Sequence, residues 1–561
     1  MSVESLHARL LGATLLCLLP AASTLAQQAP QVTPRDLRPE TPPKPAVVLP
    51  QQPARSAPPA NADKLFVTLG DAVVQGGFPE FADETERLIA PLRGQRISVA
   101  DFYSLADDIE ALYRAAGYPL VRVVIPPQSL LDNASLQLIV LDGFVERLNL
   151  DAVPPAARKQ VERILQPLVG QRRLKDDALE KALTLAGRVH GLTLRSALGA
   201  GFEPGGTVLV LQGLLDGVVG SLSSDNRQSD SIGPWQMTAQ LRTNQLLGMG
   251  EQAYLYVSGG YPLGHAFETD ARRRVAGAGM IVPLAANGLS LNPEITVSDS
   301  KPRPVFFALA SRSQLRRASL RLVYPAIVSR RQELTLTAVA EASRQVDTLT
   351  YFNFIQDLDR LRVLRLSADW SGAVGDGQMR AGATVSQGTS KFGGRSRAEI
   401  AASEVPMSRA GAGPSYTKLE ANLSYDLGLP WGMQSRSMLR GQAPLRGVLP
   451  SAETFGMDGE DGVSALTAGQ LSDDGGWVAR QEVSRPVRLP GAVSLAPYAY
   501  GAYAHLHTRL AVERAGHAEA YGIGLRTSWR NTSLSGEFGR GRVSPDGRYE
   551  TQAFFKAQVQ F

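Results

Sequence analysis

TQAFFKAQVQF, residues 551–561, puts Ala553, Phe555, Ala557, Val559 and Phe561 on one face of an extended strand. Gln552, Lys556, Gln558 and Gln560 fall on the other. Chain ends usually fray. A two-faced strand ending on an aromatic is instead expected to be paired and to bury its apolar face.

The same alternation runs backwards from here to about Leu214. In WQMTAQLRT, Trp235, Met237, Ala239 and Leu241 oppose Gln236, Thr238, Gln240 and Arg242. ELTLTAVAEA, LRLSADW and KLEANLSY repeat it, with the turn-forming stretches LGMGE, AANG, GDGQ, GLPWG and RLPG between segments. Roughly 350 residues in spans of the ~10 that cross a bilayer at a tilt make about sixteen strands. The connections alternate too: those turns are short, whereas SSDNRQSDSIG and the stretches 389–415 and 443–476 are long. Short turns on one rim and long loops on the other are the pattern of an outer-membrane barrel. A sheet in lipid cannot leave an edge unpaired. The last strand must therefore pair with the first, and Phe561 is expected to meet lipid near an interface as a barrel-assembly signal. A soluble β-sandwich or propeller alternates as well, but sandwiches rarely run this long as one domain, and the loop asymmetry would be unexplained.

Ahead of this region the texture changes. MSVESLHARLLGATLLCLLPAASTLA has basic residues, an apolar core from Leu10 to Leu19, and small residues up to Ala26, which predicts an export signal over 1–26. The only cysteine, Cys17, lies inside it, so the mature chain is expected to hold no thiol, disulfide or cysteine metal site. Residues 27–63 are proline-rich and predict an extended linker. Next, SVADFYSLADDIEALYRAAGYP reads as a helix capped by Ser98, with Phe102, Leu105, Ile109 and Leu112 at helical spacing and Gly117 as its stop. Strand, two helices and two strands follow one another twice, giving two small α+β modules over 64–143 and 144–213 and a barrel domain over 214–561.

The chain has 561 residues, with 43% hydrophobic and 20% charged, and a net charge of +5. Lys and Arg form no long run, so nucleic acid is not an expected partner. No nucleophile elbow, phosphate-binding glycine loop or His-Glu-x-x-His is present. His505 and His507 share one face of a strand, and a wet barrel lumen accounts for them without a metal. No catalytic, cofactor or metal site is expected.

The chain resembles the transporters of two-partner secretion, the TpsB family, in three stretches. LYRAAGYPLVRVVIPPQSL is similar to that family's first periplasmic POTRA module, in which a helix ends in Tyr-x-x-x-Gly-Tyr and a strand in Pro-x-Gln; the matching residues are Tyr113, Gly117, Tyr118, Pro126 and Gln128. A structural role (helix stop, core filling, strand end) accounts for them, and cargo binding is the alternative. VLDGFVERLNL resembles the junction between the two modules. LPSAETFGMDGEDGVSALTAGQLSDDGGWVARQEVSRP resembles the loop between barrel strands 11 and 12 that folds back into the pore.

The family's loop tip reads Val-Arg-Gly-Tyr, where this chain has Val463, Ser464, Ala465 and Leu466. Its barrel-wall motif, Phe-x-Asp-x-Gly, corresponds here to Tyr500, Ala502 and Ala504. Both members of the family's arginine–aspartate pair are absent. Losing both is nearly neutral, whereas losing one strands a charge at about 3–5 kcal/mol. The loop is expected to be held differently or more weakly, and Ser464→Arg with Ala502→Asp to lower conductance. The proline-rich linker also leaves no room for the amino-terminal plug helix of some relatives.

The resemblance implies a mainly β fold: a transmembrane antiparallel barrel of about sixteen strands preceded by two small α+β POTRA domains. It implies an outer-membrane pore, with periplasmic modules, that moves a large adhesin- or haemolysin-type exoprotein to the cell surface. Expected partners are that exoprotein, outer-membrane lipid and, during biogenesis, the barrel assembly machinery, with the pore itself a monomer. An assembly factor for other barrels, a passive porin-like channel and a secreted soluble β enzyme are the alternatives.

Overall fold

A computed structural model describes residues 58–59, 61–129, 131–304, 306–467, 469, 471–507, 516–544 and 547–561. The predicted export signal and most of the proline-rich linker lie outside them.

In the first module, β1 (Phe66–Gln75), β2 (Arg96–Ser98), β3 (Arg122–Val124) and β4 (Ala134–Leu141) form a sheet in the order β2-β1-β4-β3. Helices α1 (Ala82–Ile89) and α2 (Val99–Ala115) pack on it. Ser98 caps α2 as its sequence predicts. Its Oγ accepts from Asp101 N, and its own N donates to Asp101 Oδ2 at 2.8 Å, closing a capping box. Phe102, Leu105 and Ile109 point into the core. Ala62, assigned to the linker by its sequence, is also in that core, because a 3-10 turn at Ala62–Lys64 tucks it under α2.

The second module orders β5 (Phe144–Ala152), β6 (Leu192–Ala200) and β7 (Gly206–Leu215) as β5-β7-β6, beneath α3 (Pro155–Leu165) and α4 (Asp176–Ala186). Val161, Leu165, Leu183, Leu209 and Leu211 fill its interior. Leu214 still pairs with Thr193 in this sheet, so the barrel starts later than residue 214, at Val218.

From Val218 to Gln560 sixteen antiparallel strands close into a barrel. The twelfth, Gly475–Ser484, resumes after Pro486 as Val487–Leu489 and pairs with the same neighbour, Val493–His507, so the two pieces count as one strand. The final strand, Tyr549–Gln560, pairs with the first, Val218–Asp225. Phe561 extends that seam: its N donates to Gly220 O at 2.9 Å, and Gly220 N donates to Phe561 O at 2.8 Å. A side chain at Gly220 would put its Cβ 2.3 Å from the Phe561 ring, so only glycine lets the ring lie there. Phe555, Val559 and Phe561 face outward, and Phe554 faces in. A closed barrel surface turned to lipid makes this the expected arrangement.

The second module marks the periplasmic rim, because it touches three of the short turns. Gln245 Nε2 donates to His190 O at 3.0 Å, Leu185 lies against Gly288, and Arg330 pairs with Glu180 at 3.0 Å. Just beside them Arg188 pairs with Glu333 at 2.8 Å. Strands 6, 7 and 8 (Ser311–Val328, Gln332–Leu349, Phe354–Val374) are 18, 18 and 21 residues long. Their far ends therefore stand well above a hydrocarbon layer that ~10 residues can cross.

Candidate functional site: a loop folded into the barrel lumen

Strand 11 (Gln434–Arg446) and strand 12 are joined by residues 447–474. The loop is shorter at both ends than 443–476. Ala443 and Pro444 are still paired with Leu419 and Lys418, and Gly476 with Gln442. The loop turns inward as a narrow hairpin, with Phe455 and Gly456 against Asp473 and Ser472. Val463 N donates to Met457 O at 3.0 Å, which folds the tip back on the hairpin.

The tip residues Val463, Ser464, Ala465 and Leu466 are all buried, and Val463, Ala465 and Leu466 form one apolar cluster with Tyr498, Tyr500 and Ala504 of strand 13. Tyr500, Ala502 and Ala504 thus face the lumen. Strand alternation then turns Tyr503, His505 and His507 outward. Here the structure corrects the expectation that the two histidines face water inside: the tyrosines pack on the loop and set the opposite parity. His505 lies beside Trp477 instead, ring centroids 6.3 Å apart.

The tip is held by charge from the wall. Arg480 of strand 12 is fully buried and donates through Nη1 to Ser464 Oγ at 2.6 Å. Its Nη2 lies 3.1 Å from Glu537 of strand 15 and 3.5 Å from Glu482, and its guanidinium sits 3.7 Å above the Tyr500 ring. Tyr498 donates to Glu537 at 2.8 Å, and Arg227 approaches both Glu537 and Ser464 O. Arg480 is the direct cross-strand neighbour of Ala502. The charge at this contact is on the wall, and the loop tip meets it with the Ser464 hydroxyl and the carbonyls of Gly462 and Ser464.

The loop base has a second anchor. Buried Glu453 forms paired contacts with Arg365 of strand 8, Oε1 to Nη2 at 2.6 Å and Oε2 to Nη1 at 2.9 Å. Lys418 Nζ lies 2.9 Å from its Oε2. Burial alone would raise the Glu453 pKa, but Arg365 and Lys418 hold the carboxyl far below the usual carboxylate range. From Arg365 the ion pairs continue through Glu341 and Arg317 to Glu294 on strand 5. Sequence reasoning missed Arg480, Glu537, Glu453 and Arg365. The one available signal was a charged residue at an inward position of an otherwise ordinary strand, and that signal does not say which distant strand supplies the partner.

The residues of the module motif gather at the end of α2 and beside β3 and β4. Tyr113 is buried and its hydroxyl accepts from Phe78 N at 3.0 Å; Gly117, at positive φ, ends α2. Gln128 clamps Gln137, accepting from its N at 2.8 Å and donating to its O at 2.9 Å, two residues after Pro126. Tyr118 packs on Phe78 and lies under Lys175 of the second module, where Asp176 N also donates to Gly117 O at 3.0 Å. The helix end and Tyr118 therefore form the joint between modules.

Two α+β modules, the second seated on the rim of a sixteen-strand barrel, with an ion-anchored loop in its lumen, define an outer-membrane barrel protein of the POTRA-bearing class. Residues 215–526 match the model of the haemolysin secretion/activation proteins ShlB/FhaC/HecB, and residues 73–143 match the ShlB-type POTRA domain. The chain belongs to this two-partner secretion family, with its barrel in the outer membrane and its modules in the periplasm. It is 27% identical over 177 residues to the heme/hemopexin transporter protein HuxB of Haemophilus influenzae, covering 31% of each chain. It is 25% identical over 223 residues to the outer membrane transporter CdiB of Escherichia coli, covering 39% of this chain and 37% of that one. These matches span about a third of the relatives' length. The solved structure of E. coli CdiB has the same fold, with a TM-score of 0.68 at 18% identity over 91% of this chain and 93% of that one.

Proposed function

We propose that this protein is an outer-membrane pore that recognises one large exoprotein in the periplasm and passes it, unfolded, to the cell surface. The observation that carries the reading is the loop inside the lumen. It is held at its base by ion pairs and at its tip by hydrogen bonds from Arg480, contacts that can be exchanged, so it can leave the path of a chain without unfolding the barrel. A porin has no use for the two modules. Edge strand β6, nine residues paired on one side only, offers backbone groups to which an extended cargo segment can add. The cargo is of the adhesin or haemolysin type, and its folding outside the cell supplies direction. Outer-membrane lipid surrounds the barrel, the assembly machinery inserts it by way of the strand ending at Phe561, and the pore acts as a monomer. Tyr113, Gly117, Tyr118, Pro126 and Gln128 serve by shaping the first module and its joint.

Deleting the gene and comparing large proteins in the culture medium tests this. One such protein should disappear from the medium and accumulate or be degraded in the periplasm. An unchanged set of secreted proteins would rule secretion out. Lost insertion of other barrel proteins would instead favour the assembly-factor reading.

A further inference from the structure

The lipid-facing side of strands 6–8 carries a feature that neither pore nor loop uses. Arg316, Arg344 and Arg360 stand in one cross-strand row, Arg316 opposite Arg344 and Arg344 opposite Arg360. Their neighbours Arg317, Gln345, Asp359 and Leu361 are buried on the inner side, so the three arginines point outward. Strands lie about 4.8 Å apart, which compresses three positive charges into roughly 10 Å. Like charges directly opposite destabilise a sheet. Arg360 reaches Glu399 at 2.7 Å, while Arg316 and Arg344 have no acidic partner among the described residues. Nearby Asp299 is already occupied by Arg312 at 2.8 Å and Arg274 at 3.5 Å.

The height of the row is informative. On strand 7 the outward residues Leu334, Leu336, Ala338, Ala340 and Ala342 precede Arg344, counting from the periplasmic turn. The twelve steps from Gln332 to Arg344, at ~3.3 Å each and tilted ~40°, rise about 30 Å, the thickness of the hydrocarbon core. The row thus meets the headgroups of the outer leaflet. Immediately below it is an outward-facing groove of about 340 Å³. Ala318, Ala340 and Ala342 form its floor, Leu320 and Leu364 its sides, and Arg362 and exposed Phe392 its upper lip.

We infer that this face binds one phosphorylated, multiply acylated glycolipid of the outer leaflet, with phosphate on the arginine row and an acyl chain in the alanine-floored groove. A bridging anion turns the repulsion between Arg316 and Arg344 into shared attraction, and the groove gives the chain a fixed seat.

Native mass spectrometry of the full chain in mild detergent, titrated with purified bisphosphorylated lipid A, tests the inference. The wild-type barrel should retain one lipid A. Arg316→Gln/Arg344→Gln should weaken binding about thirtyfold, at about one Arg-equivalent of surface attraction each, while heat-modifiable gel migration stays unchanged. Dephosphorylated lipid A should bind as poorly to wild type as lipid A does to the double variant. Ala342→Trp, which fills the groove, should weaken lipid A binding with the arginines intact. Equal lipid A binding by wild type and the double variant overturns the inference. So does displacement of the lipid by millimolar inorganic phosphate, which would make the row a free-phosphate site.

Discussion

Arg480 faces Ala502 across a strand pair and donates to Ser464 Oγ at 2.6 Å, so a wall arginine holds the pore loop by a loop hydroxyl. Glu537 and Glu482 lie beside it, Glu537 also approached by Arg227 and Glu482 paired with Arg526, and Tyr498 and Tyr500 pack against the same site.

Removing the arginine takes the nearest cation from buried Glu537, which keeps Arg227 at 3.6 Å and the Tyr498 hydroxyl, and removes the hydrogen bonds from strand 12 to the tip. Arg480→Ala should destabilise the lumen cluster by about 3–5 kcal/mol and release the tip. Ser464→Ala loses only a charge-assisted hydrogen bond, about 1.5–3 kcal/mol. Planar-bilayer recordings should show larger or more frequent openings for Arg480→Ala than for Ser464→Ala, with both barrels still heat-modifiable.

Ser464→Arg with Ala502→Asp, expected from sequence to tighten the loop, is predicted to fail while Arg480 stays. The new guanidinium would enter a site that Arg480 already fills within hydrogen-bonding distance. Adding Arg480→Ala should restore low conductance. The triple variant should therefore be quieter than the double variant in the same recordings.

Gly539 on strand 15 gives the tip its space. A Cβ there would lie 2.3 Å from Tyr500 Oη and 3.1 Å from Ala465 Cβ. Gly539→Val should push the loop tip off the wall, raising conductance and protease cleavage within 458–467 while the barrel still forms.

The base anchor should resist mild acid but not mutation. Because the Glu453 carboxyl titrates far below its unfolded value, its stabilisation is complete above the ordinary carboxylate range and is lost only as pH falls toward the depressed folded value. Conductance should therefore stay flat between pH 7 and 5. Glu453→Gln leaves Lys418 with Glu420 at 3.6 Å and Arg365 with Glu341 at 3.4 Å as their remaining carboxylates, and should open the pore at every pH in that range.

At the rim, His190 has the same sign as Glu453, but in a window that mild acid reaches. Burial lowers its pKa to about 4, with Glu251 opposing. The unfolded chain takes up a proton near 6.5 and the folded one does not, so stability is full above about 6.5 and falls toward pH 4. Amide exchange over 176–190 in the full protein should quicken through that window by a factor worth on the order of 1–3 kcal/mol. His190→Gln should abolish the pH dependence.

Much of this molecule is written in local order. Alternation by twos from Trp235 to Phe561, with short turns on one rim and long loops on the other, points to a closed barrel, because lipid offers no partner for an unpaired strand edge. Ser98, with Phe102, Leu105 and Ile109 behind it, is enough to place α2. The missing loop arginine and wall aspartate were also legible as gaps in a pattern. What replaced them was not. Arg480 and Glu537 lie 57 residues apart, and only the cylinder's closure and shear bring them to Ser464. The outward parity of His505 was likewise settled by Tyr498 and Tyr500 packing on the loop. Periodicity fixes which residues share a face; which face meets water, lipid or a folded-in loop depends on contacts made across the whole ring.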